Sequence, residues 1–341
     1  MIEHGQPKYR GEQIARWLGR GVVDIDEMTD LPKDFRSKIR DCCETGAPAI
    51  IDKFVSGRDG TVKYVFSFSN NCVLEGALLK YKHGNTACIS SQAGCRMGCK
   101  FCASKPEDYL RNLSCGEMLG QVFAINRDIR DIGEAEKVNH VVVMGIGEPF
   151  DNYDNCLKFL KLLHDNPETG IGYRKMTVST CGVVPGIETL ADEGLQIGLS
   201  VSLHAPDDKT RGTLMPINKK YRVRQLIEAC GLYAKKTGRR VTFEYALIDG
   251  VNDSEWHAAE LVRKLKGMLC HVNLLPVNSI EGFGHKPPER IKIDRFEAIL
   301  RGGGINATVR RVLGADIKAA CGQLRKSQLE SDSSVVTVES E

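Results

Sequence analysis

Hydrophobic and polar positions divide the chain into a helical beginning and a longer stretch in which strands and helices alternate. The first 50 residues carry apolar side chains at helical spacing, in Gly11 to Gly19 and again at Leu31, Phe35 and Ile39. Asp30 is the predicted N-cap of the second helix. This segment contains no convincing strand, so we predict a small helical N-terminal domain over 1–50.

Two strand-like runs come next, Thr61–Phe68 and Cys72–Tyr81, and three turn-forming residues join them. This pattern predicts a β-hairpin inside an extension that covers 51–84. Further strand-like runs then recur with amphipathic helical segments between them, at Thr86–Ser91, Asn139–Met144, Lys175–Cys181, Leu195–Leu203, Val241–Ile248, His271–Val277 and Ile305–Arg310.

Strands that alternate with helices and are apolar along their length are typical of a parallel sheet covered by helices. The number of units, about six, is too small for a closed eight-stranded barrel. We therefore predict an α/β fold, an open partial (β/α)6 barrel over 85–325. The Ser-, Asp- and Glu-rich tail 326–341 is predicted to be disordered.

Composition places the chain among ordinary globular proteins, with 341 residues, 27% charged residues and a net charge of +3. The charge neither demands nor excludes a nucleic-acid partner. No run approaches the roughly 18 apolar residues of a membrane span. The N-terminal 20 residues are polar, which favours a cytoplasmic protein. Thirteen cysteines in such a protein indicate metal binding or thiol chemistry rather than disulfides.

The candidate chemistry is concentrated at Cys95, Cys99 and Cys102, in a Cys-x3-Cys-x2-Cys pattern directly after the first strand of the α/β series. Thiolates are soft ligands for iron–sulfur clusters and zinc. Three of them on one short loop can hold three irons of a single [4Fe–4S] cluster and leave the fourth iron open. The alternative is a structural zinc site completed by Cys88 or Cys115, although no second paired-cysteine unit follows.

This cysteine motif at the end of a first barrel strand resembles the radical S-adenosylmethionine (SAM) superfamily. The resemblance implies that the amino and carboxylate groups of SAM bind the open iron. A loop after the second strand, Met144–Pro149, would then receive the amino group. Active sites of such barrels lie at the carboxyl ends of the strands. The implied SAM-binding residues are at strand ends, namely Gly147, Glu148, Ser179, Ser202, Leu203, His204 and Asn278.

A closer resemblance, to the RlmN/Cfr family of dual-specificity RNA methyltransferases, covers roughly residues 8–325. It rests on Cys88–Cys95 (CISSQAGC), Met144–Pro149, Ser202–Pro206 and Ala319–Leu324 (AACGQL). The helical N-terminus is similar to the RNA-binding accessory domain of that family. One departure is Lys105–Tyr109, where many members are rich in glycine.

The resemblance implies methylation of C2 of an adenosine in 23S ribosomal RNA near the peptidyl transferase centre, and often of one in tRNA anticodon loops. Two SAM molecules take part in the mechanism of the family. One methylates a cysteine, matched by Cys321. The other is cleaved at the cluster to a 5′-deoxyadenosyl radical, which takes a hydrogen from the S-methyl group. The resulting methylene radical adds to C2.

The covalent protein–RNA adduct is resolved by a second cysteine, matched by Cys88, which forms a transient disulfide with Cys321. A carboxylate matched by Glu75 is the candidate proton acceptor, although a solvated glutamate on an edge strand fits the surrounding sequence equally well. A radical route suits this chemistry, because adenine C2 lies between two ring nitrogens and is not a nucleophile.

Two alternative functions remain open. Some members of the family methylate C8 of the same adenine and confer antibiotic resistance, but Asn152–Asn155 and Ser179–Pro185 are more similar to the C2 enzymes. The second alternative is an iron–sulfur binding or electron-transfer module without SAM chemistry.

We also expect a monomer that receives electrons from an external donor of the flavodoxin or ferredoxin type. The cysteines without a motif are predicted to be small buried hydrophobes: Cys42, Cys43, Cys72, Cys115, Cys156, Cys181, Cys230 and Cys270.

Overall fold

A single ten-stranded mixed sheet organises the protein. The computed structural model describes residues 5–68, 72–104, 106–278, 284–319 and 323–324. Cys321, the tail 326–341 and the turn between the two hairpin strands lie outside these residues. No helix in the described part of the chain is long and apolar enough to cross a membrane.

Two helices, α1 (Tyr9–Gly19) and α2 (Lys33–Cys42), form the N-terminal part around their own small core, which includes Met28 and Phe35. The expected N-cap at Asp30 is wrong. Pro32 occupies the N-cap position of α2. The Asp30 carboxylate instead accepts a hydrogen bond from Trp17 Nε1 at 2.6 Å and so joins the two helices.

Three antiparallel strands follow, β1 (Ala49–Val55), β2 (Val62–Phe68) and β3 (Cys72–Tyr81). The last two are the predicted hairpin. Strand β1 was not predicted, because it lies at the sheet edge with mostly exposed residues and a register irregularity at Ile51. A solvated edge strand of this kind lacks the alternation that identifies a half-buried one.

The parallel part of the sheet begins at β4 (Gly84–Ile89), which pairs with β3 on one side. Two short strands, β5 (Gln92–Ala93) and β6 (Arg111–Asn112), then form a separate two-stranded sheet. The remaining strands are β7 (Val138–Val143), β8 (Met176–Thr180), β9 (Gly198–Ser202), β10 (Val241–Leu247), β11 (Cys270–Pro276) and the short β12 (Ala307–Val309). They continue the large sheet from β4 in chain order, and β7 is the direct neighbour of β4.

The helices that cover this sheet are α3 (Cys115–Asp131), α4 (Tyr153–Asp165), α5 (Val184–Asp192), α6 (Asp208–Leu214), α7 (Val223–Thr237), α8 (Glu255–Leu265) and α9 (Arg290–Gly302). The two ends of the ten-stranded sheet do not pair with each other among the described residues. The expectation of an open partial barrel of about six strand–helix units is therefore confirmed, with β12 as a short additional strand.

The N-terminal part packs on α3 and on the loop after α4. Arg127 Nη1 donates to the Gly21 carbonyl at 3.1 Å, and Asn166 Nδ2 donates to the Ala15 carbonyl at 3.2 Å. Arg20 forms an ion pair with Glu168 at 3.4 Å. These contacts fix the N-terminal helices beside the barrel.

Candidate active site

A cavity of about 240 Å³ opens at the carboxyl ends of the parallel strands, where β/α barrels carry their sites. Its lining includes ten residues that the sequence analysis selected from separate parts of the chain. These residues are Cys88, Cys95, Cys99, Cys102, Gly147, Glu148, Ser179, Ser202, His204 and Asn278.

The cysteine loop, Cys95–Cys102, leaves the sheet after β5 and is held in place by main-chain contacts. Gly94 has a φ of +81°, and a Cβ there would lie 2.1 Å from the Asp108 carbonyl oxygen, so only glycine fits. The Lys100 N–H donates to the Leu214 carbonyl at 2.9 Å. The loop is therefore fixed at both its start and its middle.

The three thiols of this loop are largely buried. Burial raises the pKa of Cys95 to about 12, and burial likewise raises the pKa of Cys99 and of Cys102. Three thiolates therefore coexist here only if a cation compensates their charge. A soft, multi-iron group fits this donor set, because it supplies both the positive charge and the metal–sulfur bonds.

The alternative zinc site has less support from this arrangement. Cys115 is at the start of α3 and is not part of the cavity lining. In the described part of the chain, no group of three or more His, Cys, Asp or Glu side chains is placed to hold a single metal ion. Sulfur ligands at the corners of a cluster stand farther apart than those around one tetrahedral ion.

The loop after β7 packs very closely against the end of β4 and the start of β5. A Cβ on Gly145 would lie 2.7 Å from the Ile89 carbonyl oxygen, and Gly147, with a φ of +107°, would place a Cβ 2.6 Å from Gln92. The sequence analysis identified this loop through its glycines. The structure shows that these glycines bring β7 against the end of β4, so that both loops border one cavity.

Glu148 is 3% exposed, and both of its carboxylate oxygens accept hydrogen bonds from main-chain N–H groups. The donors are Phe150 at 3.1 Å and Cys181 at 2.7 Å. Burial raises the pKa of this carboxyl, while the two N–H donors oppose the shift. A ligand ammonium group would add the positive charge that this buried carboxylate lacks.

His204 is held as a neutral hydrogen-bond donor. Its Nδ1 accepts from the Ala246 N–H at 2.8 Å, so the ring proton is on Nε2, which is buried and has no hydrogen-bond partner in the part of the chain that the structure describes. Burial lowers the pKa of this imidazole to about 3. Its φ of 56° is in the left-handed region, and the Phe101 ring packs against it. The Nε2–H group is therefore available to a ligand acceptor.

Ser179, Ser202 and Asn278 also line the cavity. Leu203 differs from them, because it is fully buried in the core and is not part of the lining. Its N–H donates to the Glu244 carbonyl at 3.1 Å, and its own carbonyl accepts from Arg211 Nε at 3.1 Å. These two hydrogen bonds hold the end of β9 in place, and with it the cavity-lining residues Ser202 and His204.

Cys88 lies on β4 opposite Ala77 of β3, and both line the cavity. Glu75, two residues before Ala77, has its side chain on the same face of β3. It is 5% exposed and pairs with Lys63 Nζ at 3.2 Å. Glu75 is thus on an interior strand, so the alternative of a solvated glutamate on an edge strand is wrong.

Ala319 and Leu324, which are two residues before and three residues after Cys321 in the sequence, both line the cavity. Sequence reasoning missed other lining residues, among them Glu244 on β10 and Arg310 just after β12. A charged residue inside an otherwise apolar strand was the available signal for Glu244. Its Oε1 accepts from Ser200 and Asn273, whereas its Oε2 has no hydrogen-bond partner among the described residues and lies 3.9 Å from Arg310 Nη1.

The prediction that all eight cysteines without a motif are buried is partly wrong. Cys42 and Cys43 are exposed at the end of α2, and Cys115 is half-buried. The other five are buried, and of these Cys181 lines the cavity.

Comparison with known families accounts for most of the chain. A family model described as "Radical SAM superfamily" matches residues 89–262, and one described as "Ribosomal RNA large subunit methyltransferase N-terminal domain" matches 1–45. The chain is also 48% identical, over 97% of its length and 95% of the relative, to the probable dual-specificity RNA methyltransferase RlmN of Thermoanaerobacter sp. (strain X514). The chain belongs to the RlmN family of radical SAM methyltransferases.

Other members of the RlmN family give the same result. The probable dual-specificity RNA methyltransferase RlmN of Clostridium tetani is 45% identical over 98% of this chain and 95% of the relative. The crystal structure of a radical SAM methyltransferase from Sphaerobacter thermophilus superposes with a TM-score of 0.89, at 45% identity and 95% coverage of both chains. The predicted family and fold are confirmed.

Membership of the RlmN family makes this chain an enzyme of the SAM-dependent RNA methyltransferase class. The radical SAM superfamily implies a [4Fe–4S] cluster and SAM as cofactors. The buried thiols of the cysteine loop, together with the polar groups at the neighbouring strand ends, fit both of them.

Proposed function

We propose that this enzyme methylates C2 of an adenosine in 23S ribosomal RNA, near the peptidyl transferase centre, and of an adenosine in tRNA anticodon loops, in the cytoplasm. The observation that carries the proposal is the shared cavity. The cysteine loop, Cys88 and both residues that flank the Cys321 segment, Ala319 and Leu324, border the same space. A generic radical SAM enzyme has no need for this second set of cysteines.

In this proposal Cys95, Cys99 and Cys102 are the three ligands of one [4Fe–4S] cluster, which with bound SAM supplies a carbon radical. Glu148 accepts a hydrogen bond from the amino group of SAM. His204 donates one from Nε2, since its proton is fixed there by the Ala246 N–H. Ser179, Ser202 and Asn278 supply further polar contacts, while Leu203 holds the strand end in place.

The chain's own groups carry the methyl transfer. The Cys321 thiolate takes a methyl group from one SAM molecule, which leaves as the neutral thioether. The resulting S-methyl group gives up a hydrogen atom to the SAM-derived carbon radical and bonds to C2 through its carbon. The adduct would return one electron to the oxidised iron–sulfur group, and the C2 proton passes to Glu75, a carboxylate held by Lys63 on the same face of β3 as the lining residue Ala77. The Cys88 thiolate attacks the Cys321 sulfur. The carbon–sulfur bond breaks, the released methylene carbon takes a proton, and a disulfide remains for external reduction.

RNA binding is assigned to the N-terminal helices. Arg16 is exposed on α1 and makes no ion pair within the described part of the chain, whereas Arg40 pairs with Asp26. A net charge of +3 is too small for a general field, so local arginines must contact the phosphates. The adenosine has to be unstacked to enter the cavity. We expect a monomer that takes electrons from a flavodoxin- or ferredoxin-type protein.

The cysteine pair provides the test. Cys88→Ala should keep the methyl carrier and lose the resolving thiol, so a covalent protein–RNA species should accumulate as a nuclease-sensitive slow band on a denaturing gel. Cys321→Ala should form neither methylated protein nor adduct. Cys156→Ala is the matched control, because Cys156 is buried outside the cavity lining, and it should turn over RNA without accumulating an adduct.

Loss of turnover in Cys88→Ala without any adduct would contradict the resolving role of Cys88. An active Cys321→Ala enzyme would refute the methyl-cysteine route.

A further inference from the structure

Arg211, on α6, is a fully buried cation beside the cavity. Its exposed fraction is 0%, and no carboxylate among the described residues forms an ion pair with it. Asn218 links it to a carboxylate indirectly, because Asn218 accepts from Arg211 at 3.1 Å and donates to Asp208 at 3.1 Å. A buried charge without a direct partner is costly, so this position requires an explanation.

The guanidinium group joins the carboxyl ends of two neighbouring strands. Nη2 donates to the Cys181 carbonyl at 2.7 Å and to the Ser202 carbonyl at 3.2 Å, and Nε donates to the Leu203 carbonyl at 3.1 Å. Cys181 and Leu203 are the first residues beyond β8 and β9, and Ser202 is the last paired residue of β9. Their carbonyls lie where the strands end, so they need donors from outside the sheet. The group also packs on Gly182, where a Cβ would lie 2.9 Å from Nη2.

A purely structural link would not require a charge, because an uncharged donor also satisfies carbonyl groups. The charge is, however, adjacent to the cysteine loop. Cys181, whose carbonyl Arg211 binds, packs in one apolar cluster with Cys99 of that loop and with Leu214 of α6. The loop itself is attached to the same helix, through the hydrogen bond from the Lys100 N–H to the Leu214 carbonyl.

We propose that Arg211 is a positioning residue for the ends of β8 and β9, and that its buried charge makes the cluster on the cysteine loop easier to reduce. The inference rests on the cluster ligands proposed above. A cluster held by three thiolates becomes more negative when it accepts an electron. An unscreened positive charge nearby stabilises that reduced form, since charges interact more strongly in a protein interior than in water.

The experiment is an anaerobic redox titration of the reconstituted full-length enzyme, followed by the electron paramagnetic resonance signal of the reduced cluster. Arg211→Gln should shift the ratio of reduced to oxidised cluster at least tenfold toward the oxidised form at a given potential. For a one-electron couple this is a midpoint about 59 mV more negative. Arg211→Lys keeps the charge and should shift the ratio less than threefold. Arg224→Gln removes an exposed charge on α7 and is the matched control, with no shift expected.

A fully loaded Arg211→Gln enzyme with the wild-type midpoint would overturn the proposal. If that variant does not retain its cluster, Arg211→Lys decides. If Arg211→Lys has the wild-type midpoint and a lower melting temperature, the proposal is supported. If its ratio of reduced to oxidised cluster shifts tenfold although the charge is retained, the proposal is overturned.

A separate measurement tests the cluster assignment on which this inference rests. If that assignment is wrong, the wild-type amount of iron will still bind to the variants Cys95→Ala, Cys99→Ala and Cys102→Ala, whatever the Arg211 variants show.

Discussion

The neutral state of His204 has a measurable thermodynamic consequence. Burial, helped by the charge of Arg211, lowers the pKa of this imidazole to about 3 in the folded chain, whereas an unfolded histidine has a pKa of about 6.5. As the pH falls below 6.5, the unfolded chain takes up a proton that the folded chain does not. Stability therefore decreases with falling pH, by up to about 1.4 kcal/mol per pH unit until the folded-state pKa is reached.

His204→Asn isolates this contribution. Asparagine tolerates a positive φ, and its Oδ1 can accept the Ala246 N–H in place of Nδ1. Between pH 7.5 and 5.0 the wild type should lose about 2 kcal/mol more stability than the variant. The measurement is urea unfolding of the iron-free chains, followed by circular dichroism. His83→Asn, which removes an exposed imidazole, should follow the wild-type curve.

Parallel pH profiles of stability for the wild type and His204→Asn would contradict a neutral His204. They would mean that the folded chain protonates His204 as readily as the unfolded chain does, and that Nε2 is not a fixed neutral donor.

Three further predictions concern stability and RNA binding. Lys63→Met removes the cation that pairs with the buried Glu75 carboxylate and should lower the free energy of unfolding in urea by about 3–5 kcal/mol. The double variant Lys63→Met/Glu75→Gln should recover most of this loss, and equal stability of Lys63→Met and the wild type would contradict a buried ion pair. Arg16→Glu should weaken RNA binding and reduce the slope of log affinity against log salt, by about 0.7 for each single-strand phosphate that the protein no longer neutralises, without changing the iron content; an unchanged slope would exclude Arg16 from the interface. Gly147→Ala should destabilise the chain more than Gly133→Ala. Both glycines have a positive φ, but only at Gly147 would an added Cβ clash with Gln92. Equal melting temperatures would show that the loop moves to accommodate the Cβ.

The sequence predicted what depends on local pattern. The cysteine loop and the polar strand ends were identified because parallel strands bring their carboxyl ends to one edge, so that short motifs far apart in the chain converge. The same rule could not separate Leu203 from its neighbours Ser202 and His204. At the end of β9 the side chains face the cavity and the core in turn. Ser202 and His204 face the cavity and Leu203 faces the core, and this depends on where the strand ends.

What the sequence did not predict depends on contacts between distant segments. Nothing near Arg211 in the chain indicates that its guanidinium reaches the ends of two strands. Strand β1 was not predicted, because Phe54 and Val55 are exposed at a sheet edge. The pairing of Glu75 with Lys63 follows from the register of β2 against β3, which no sequence motif indicates.

Mass spectrometry of RNA shows whether the enzyme methylates adenosine C2 through Cys321. Ribosomal RNA and tRNA would be taken from cells that lack the protein, and from the same cells carrying the wild type or Cys321→Ala. We expect 2-methyladenosine in 23S ribosomal RNA and in tRNA only with the wild type. Methylation at C8 instead, no methylated adenosine, or 2-methyladenosine with Cys321→Ala would contradict it.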